Sequence, residues 1–97
     1  SASKGAVLSL MKVCARELAP AGITVNAISP GPIDTPMLRA TVPEGSGDQK
    51  YLGLAQVPLG RVGLPQEIAA AAAYLASIDA GFVTGATIDV NGGMRMQ

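Results

Sequence analysis

Ninety-seven residues leave room for one small domain, and a chain of about that length buries only about two-thirds of the surface it exposes when unfolded, so the core is thin. Seven Lys and Arg balance seven Asp and Glu to a net charge of zero, with no basic run, which argues against nucleic acid and anionic membrane surfaces and for a small, neutral partner. There is no histidine, so histidine-based hydrolytic triads and most zinc sites are excluded.

The first predicted element is a helix. Val7, Leu10, Met11, Cys14 and Leu18 follow the i, i+3, i+4, i+7 spacing of one helix face, with Ser9, Lys12, Arg16 and Glu17 mostly elsewhere. It runs to about Ala19, where Pro20 and Gly22 stop it. The one cysteine, Cys14, lies on the apolar side, the setting of a buried reduced thiol, and a disulfide-free chain suits the cytoplasm. Thr24 to Ser29 is short, partly β-branched and bounded by Pro30-Gly31-Pro32, as expected of a strand ending in a turn. From Asp34 to Gly63 the chain is rich in Pro and Gly and reads as a long loop, with a weak helical turn around Gln49 to Ala55.

Pro65 and Glu67 suit the first turn of a second helix, because proline's missing N–H costs nothing there and a carboxylate complements the helix dipole. Ile68, the Ala69 to Ala73 run and Leu75 carry it to about Ser77, and its alanine face permits close approach to a sheet or to another copy. Gly81 and Gly85 bracket a turn. Ala86, Ile88 and Val90 then alternate with Thr87 and Asp89 in a second strand ending at Asn91-Gly92-Gly93. Helix, strand, long loop, helix, strand contains one β-crossover-β unit, the building block of parallel sheets. No apolar run approaches the roughly 20 residues that span a bilayer, and no charged leader precedes an apolar stretch, so a soluble protein with no membrane partner is expected.

Four strings carry a resemblance. Ser1-Ala2-Ser3-Lys4-Gly5-Ala6 is followed by Gly22-Ile23-Thr24-Val25-Asn26-Ala27-Ile28-Ser29-Pro30-Gly31-Pro32-Ile33-Asp34-Thr35-Pro36-Met37. Pro58-Leu59-Gly60-Arg61-Val62-Gly63-Leu64-Pro65-Gln66-Glu67-Ile68-Ala69 and Thr84-Gly85-Ala86-Thr87-Ile88-Asp89-Val90-Asn91-Gly92-Gly93 complete the set. In this order, over nearly the whole chain, they resemble the C-terminal part of the short-chain dehydrogenase/reductase family. The resemblance implies an α/β fold, the C-terminal part of a Rossmann-like doubly wound parallel sheet. Residues 1–97 would then be a fragment of one oxidoreductase domain that moves a hydride between NAD or NADP and a carbonyl or alcohol. The residue that chooses between the two cofactors is expected upstream.

In that family a Tyr four residues before a Lys gives or takes the proton, and the Lys lowers the phenol's pKa while holding the ribose hydroxyls. A cation beside a phenol favours the phenolate. The resemblance makes Lys4 that lysine and puts the Tyr immediately before Ser1, with the catalytic Ser and the glycine-rich phosphate turn further upstream. Tyr51 and Tyr74 do not substitute, since neither has a Lys four residues later, and Tyr74 is assigned to helix packing. By itself Lys4 is an ordinary surface charge.

Pro30-Gly31-Pro32-Ile33-Asp34-Thr35 is by itself an ordinary strand-exit turn. Gly31 suits close backbone approach to a ligand or dihedrals that other residues avoid, and ligands of open α/β sheets bind beyond the carboxyl ends of strands. By resemblance Pro30 and Gly31 belong to the cofactor site, the Ile33 backbone meets the nicotinamide carboxamide, and the Thr35 hydroxyl bonds the carboxamide or pyrophosphate. Asp34 receives no role. Asn26, polar in mid-strand, needs hydrogen-bond partners and reads as structural, and Arg61 reads as a tie between loop and sheet. The resemblance makes residues 35–60 a substrate lid in which Met37, Leu38, Tyr51, Leu52 and Leu54 line an apolar pocket on closure. It further implies a homotetramer or dimer, joined through the helix from Pro65 and the strand to Val90. The competing expectation is a non-catalytic remnant active only in self-association, its first strand presenting an open edge.

Overall fold

The computed structural model describes residues 2–40 and 56–95. Its elements are helix α1 (Ala2–Leu18), strand β1 (Ala27–Pro30), a short helix α2 (Pro36–Arg39), helix α3 (Pro65–Leu75) and strand β2 (Thr87–Val90). The two strands are neighbours in one sheet. Ala27 N–H donates to Ala86 O at 2.9 Å and Gly31 N–H to Val90 O at 2.9 Å; both residue numbers rise together, so the pair is parallel. The order expected of the C-terminal part of a Rossmann-like α/β sheet is therefore present. No helix among the described residues is long and apolar enough to cross a membrane.

The chain divides into two compact units, Ser1–Ile28 with Ala71–Ile88 and Ser29–Ala70 with Asp89–Gln97. In the first, α1 ends as expected at a proline. A 3-10 turn over Ala19–Ala21 carries Pro20, and Gly22 at φ 76° returns its N–H to Ala19 O. Met11, Ala15 and Ala80 form the buried core of this unit. The expected apolar face of α1 is only partly covered, since Val7 is 62% and Leu10 64% exposed and Cys14 is half-buried. Ala15, which the periodicity passes over, is buried instead because the turn before β2 closes on it: a Cβ on Gly85 would stand 3.7 Å from that of Ala15.

The first strand is shorter than its sequence suggests, and Asn26 explains why. Asn26 Nδ2 donates to Val83 O at 3.0 Å and Asn26 Oδ1 accepts from Ala86 N–H at 3.0 Å. Val25 N–H bonds Thr84 Oγ1 at 3.1 Å, and Gly85 N–H bonds Val25 O at 2.8 Å. Side chains thus continue the pairing where the backbone ladder stops, and the structural reading of Asn26 holds. Tyr74, expected to pack, is 45% exposed. α3 ends at Leu75, before the expected Ser77, whose hydroxyl turns back to Tyr74 O at 2.6 Å.

In the second unit Val57 is buried. A Cβ on Gly92 would meet Val57 Cγ1 at 2.7 Å, and Leu59 N–H bonds Gly92 O at 3.0 Å, so the segment after residue 56 is laced to the exit of β2. The helical turn expected around Gln49 to Ala55, with Tyr51, Leu52 and Leu54, lies outside the described residues.

Candidate functional site

The site is built on the exit of β1. Gly31 is needed there because of Asn91: a Cβ on Gly31 would lie 2.8 Å from both Cα and Cβ of Asn91 and 3.3 Å from its carbonyl oxygen. Gly31 is not among the glycines with positive φ. Its smallness serves the close approach of the two strand exits, which corrects the expectation of unusual dihedrals there.

Beyond Pro32 the chain forms an isolated parallel bridge, Ile33 opposite Gly63. Gly63 N–H donates to Pro32 O at 2.9 Å and Asp34 N–H donates to Gly63 O at 2.8 Å. Carbonyls and amides alternate sides along an extended chain, so the N–H and C=O of Ile33 itself are turned to the opposite edge. That edge offers one donor and one acceptor side by side, the complement of a primary carboxamide. Gly63 admits the Ile33 side chain; a Cβ there would stand 2.8 Å from Ile33 Cδ1.

Thr35 follows in an extended conformation, φ −127° and ψ 158°, and caps α2, its hydroxyl accepting from Leu38 N–H at 3.1 Å. This helix was not expected, although Thr followed by Pro is a helix-start signal. The cap uses the hydroxyl as an acceptor, and its O–H remains a donor for a further acceptor. Arg39 Nε donates to Asp34 Oδ1 at 2.7 Å. This hydrogen bond and the cation's charge hold the Asp34 carboxyl below its ordinary value. Met37 stands 82% exposed on α2, and Leu38 is half-buried.

Gly63 is itself held by a side-chain cluster. Arg61 donates from both terminal nitrogens to Glu67, Nη1 to Oε1 at 2.7 Å and Nη2 to Oε2 at 3.0 Å. Glu67 Oε1 also accepts from Leu64 N–H at 2.9 Å, the reach of a third-position helix residue back to the N-cap. The Arg61 hydrogen bonds, then the Leu64 N–H, lower the Glu67 pKa to about 2. The helix start is as the sequence predicts, but Arg61, read there as a tie between loop and sheet, is bonded instead to Glu67 at the start of α3, and the part played by Gly63 has no local signature. A groove of about 440 Å³ has Pro32, Gly63, Arg61 and Glu67 in its lining; Ile33 and Thr35 are not part of it.

Pro30, Gly31, Ile33 and Thr35 are thus brought together along one loop of the second unit. Lys4 belongs to the first unit, on the exposed side of the first turn of α1. Of the lid residues named from the sequence, Tyr51, Leu52 and Leu54 lie outside the described residues.

Comparison with known proteins matches residues 1–95 to a family model described as enoyl-(acyl carrier protein) reductase. The chain is 48% identical over 96 residues to 3-oxoacyl-(acyl-carrier-protein) reductase FabG of Vibrio cholerae and 51% identical over 96 residues to that of Escherichia coli K12. It is 52% identical over 93 residues to acetoacetyl-CoA reductase of Rhizobium meliloti. These alignments take in 99%, 99% and 96% of this chain but only 38%, 38% and 37% of the relatives. With the strand-exit loop, the crossover helix and the parallel pair in their expected order, the chain belongs to the short-chain dehydrogenase/reductase family.

Proposed function

We propose that this chain is the cofactor-orienting, lid-bearing C-terminal part of an NAD(P)-dependent oxidoreductase that reduces a 3-oxoacyl thioester to the 3-hydroxyacyl thioester. The observation that carries the reading is the Ile33–Gly63 bridge, which turns the Ile33 N–H and C=O away from Gly63 at the exit of a parallel strand. The thioester class is supported by the names of relatives about half identical to the chain. A bound nicotinamide supplies the hydride that adds to the carbonyl carbon.

The chain's own residues bind and orient. Ile33 takes the carboxamide by its N–H and C=O, and Thr35 donates its remaining O–H to the carboxamide or a pyrophosphate oxygen. Pro30 and Gly31 set the direction in which the loop leaves the sheet. Lys4 holds the ribose hydroxyls and, one helical turn from a tyrosine that precedes it, stabilises the phenolate oxygen left when the proton passes to the substrate. Residues 35–60 close over the acyl chain, with Met37, Leu38, Tyr51 and Leu54 excluding water. The working protein is a cytoplasmic homo-oligomer joined through α3 and β2, a reading supported by the exposed Ala69, Ala70 and Ala73 of α3.

The test uses the complete polypeptide that carries this segment. NADH and NADPH are titrated by nicotinamide fluorescence, and turnover is measured with acetoacetyl-CoA. Lys4→Ala is expected to lower kcat/KM by about 10²-fold or more, and the 97 residues alone are expected to show neither tight cofactor binding nor turnover. Full activity in Lys4→Ala, or no binding of either dinucleotide by the complete polypeptide, would overturn the reading.

A further inference from the structure

Gly63 is the partner that turns the Ile33 backbone outward, and the residues on either side of it are fastened to the start of α3. Leu64 N–H is tied to Glu67 Oε1 at 2.9 Å, Glu67 N–H returns to Leu64 O at 2.9 Å, and Arg61 closes the fork on both Glu67 oxygens. Arg61 Nη1 also reaches Val62 O at 3.2 Å. Residues 61–64 thus form a strap pinned at both ends, with Gly63 in its span. The Arg61 and Glu67 side chains are 54% and 38% exposed, and an exposed ion pair contributes little to stability. Stability alone is a weak reason for a two-bond fork here. A planar guanidinium on a carboxylate that is also bound to a backbone amide fixes direction as well as distance.

We infer that Arg61 and Glu67 are positioning residues for the cofactor: through the strap and the Gly63 bridge they fix the direction of the Ile33 N–H and C=O, and so the seating of the nicotinamide end of the dinucleotide. The inference rests on the cofactor role proposed for Ile33. It assigns neither residue to the adenosine end, which separates it from a general structural role.

The experiment compares two affinities in the complete polypeptide: that for NADPH or NADH, and that for the matching adenosine half, adenosine 2′,5′-bisphosphate or AMP. Arg61→Met is expected to weaken the intact dinucleotide about fivefold, the equivalent of ~1 kcal/mol, and to leave the adenosine half unchanged. Arg61→Lys, which keeps the charge but not the fork, recovers part of the loss. Glu67→Gln keeps the side-chain shape and is the milder second variant should Arg61→Met fold poorly; it is expected to shift the same ratio in the same direction. Equal weakening of both ligands, or of neither, overturns the positioning role while the unmutated protein still prefers the intact dinucleotide. If the unmutated protein binds the dinucleotide no better than its adenosine half, the cofactor role of Ile33 fails first and the inference falls with it.

Discussion

The Arg61 fork and the Leu64 amide lower the Glu67 pKa from 4.5 to about 2. A carboxyl whose folded pKa is depressed adds stability that is complete above its unfolded value and is lost as pH falls toward its folded one. The window here is therefore about pH 4.5 down to 2. Comparing urea unfolding of the unmutated protein and Glu67→Gln, a small, constant advantage for Glu is expected near neutrality, shrinking through that window. An advantage unchanged at pH 2.5 would show that charge on Glu67 contributes nothing. At this scale the sequence was legible where a motif names its own partner, as with Glu67 beside a helix start, and illegible where the partner is distant. Gly31 is the clearest case. Its glycine is explained by Asn91, 60 residues away in the chain, and no local pattern carries that information.

Elements were legible wherever periodicity and punctuation agree. α1 stops at Leu18, just before Pro20, α3 starts at Pro65, and both strands end at their Pro or Gly turns. The exceptions share a physical cause, side chains standing in for backbone. Thr35 turns the start of the expected loop into α2 by capping it, and Asn26 replaces one rung of the ladder with two amide bonds. Asn26→Leu leaves Val83 O and Ala86 N–H without those partners, at a cost of about 1–3 kcal/mol for a group left unsatisfied. Asn26→Asp retains the acceptor for Ala86 N–H but sets a carboxylate against Val83 O. Only its protonated form donates there. Denaturant unfolding should show Asn26→Asp regaining stability as pH is lowered through the carboxyl range, the reverse of the trend at Glu67, while Asn26→Leu stays uniformly weak. Equal stability of Asn26→Leu and the unmutated protein would remove Asn26 from the framework.

For the whole molecule, periodicity showed which side of α1 is apolar but had no means of showing what covers it. Val7, Leu10 and Val13 are 62%, 64% and 50% exposed, and in the same unit Ile78 and Phe82 are 94% and 104% exposed. Burying such a side chain fully contributes about 1.5–3 kcal/mol, so these positions leave a large share of the available stabilisation unused. The sheet adds to the deficit: among the described residues it has two strands, and a two-stranded sheet is marginal in water, with an edge that invites another strand. The chain spans about 38% of the length of the curated relatives it matches. Produced as the sole polypeptide, the 97 residues should therefore bind an apolar dye such as anilinonaphthalene sulfonate and sediment as a species heavier than 9.7 kDa. Leu10→Lys should reduce that association with little loss of helical circular dichroism, since Leu10 is exposed. In the complete polypeptide the same substitution should be strongly destabilising, because there the rest of the fold is expected to cover α1. A monodisperse 9.7 kDa species that unfolds cooperatively and ignores the dye would show instead that Met11, Ala15, Val57 and Ala80 are core enough.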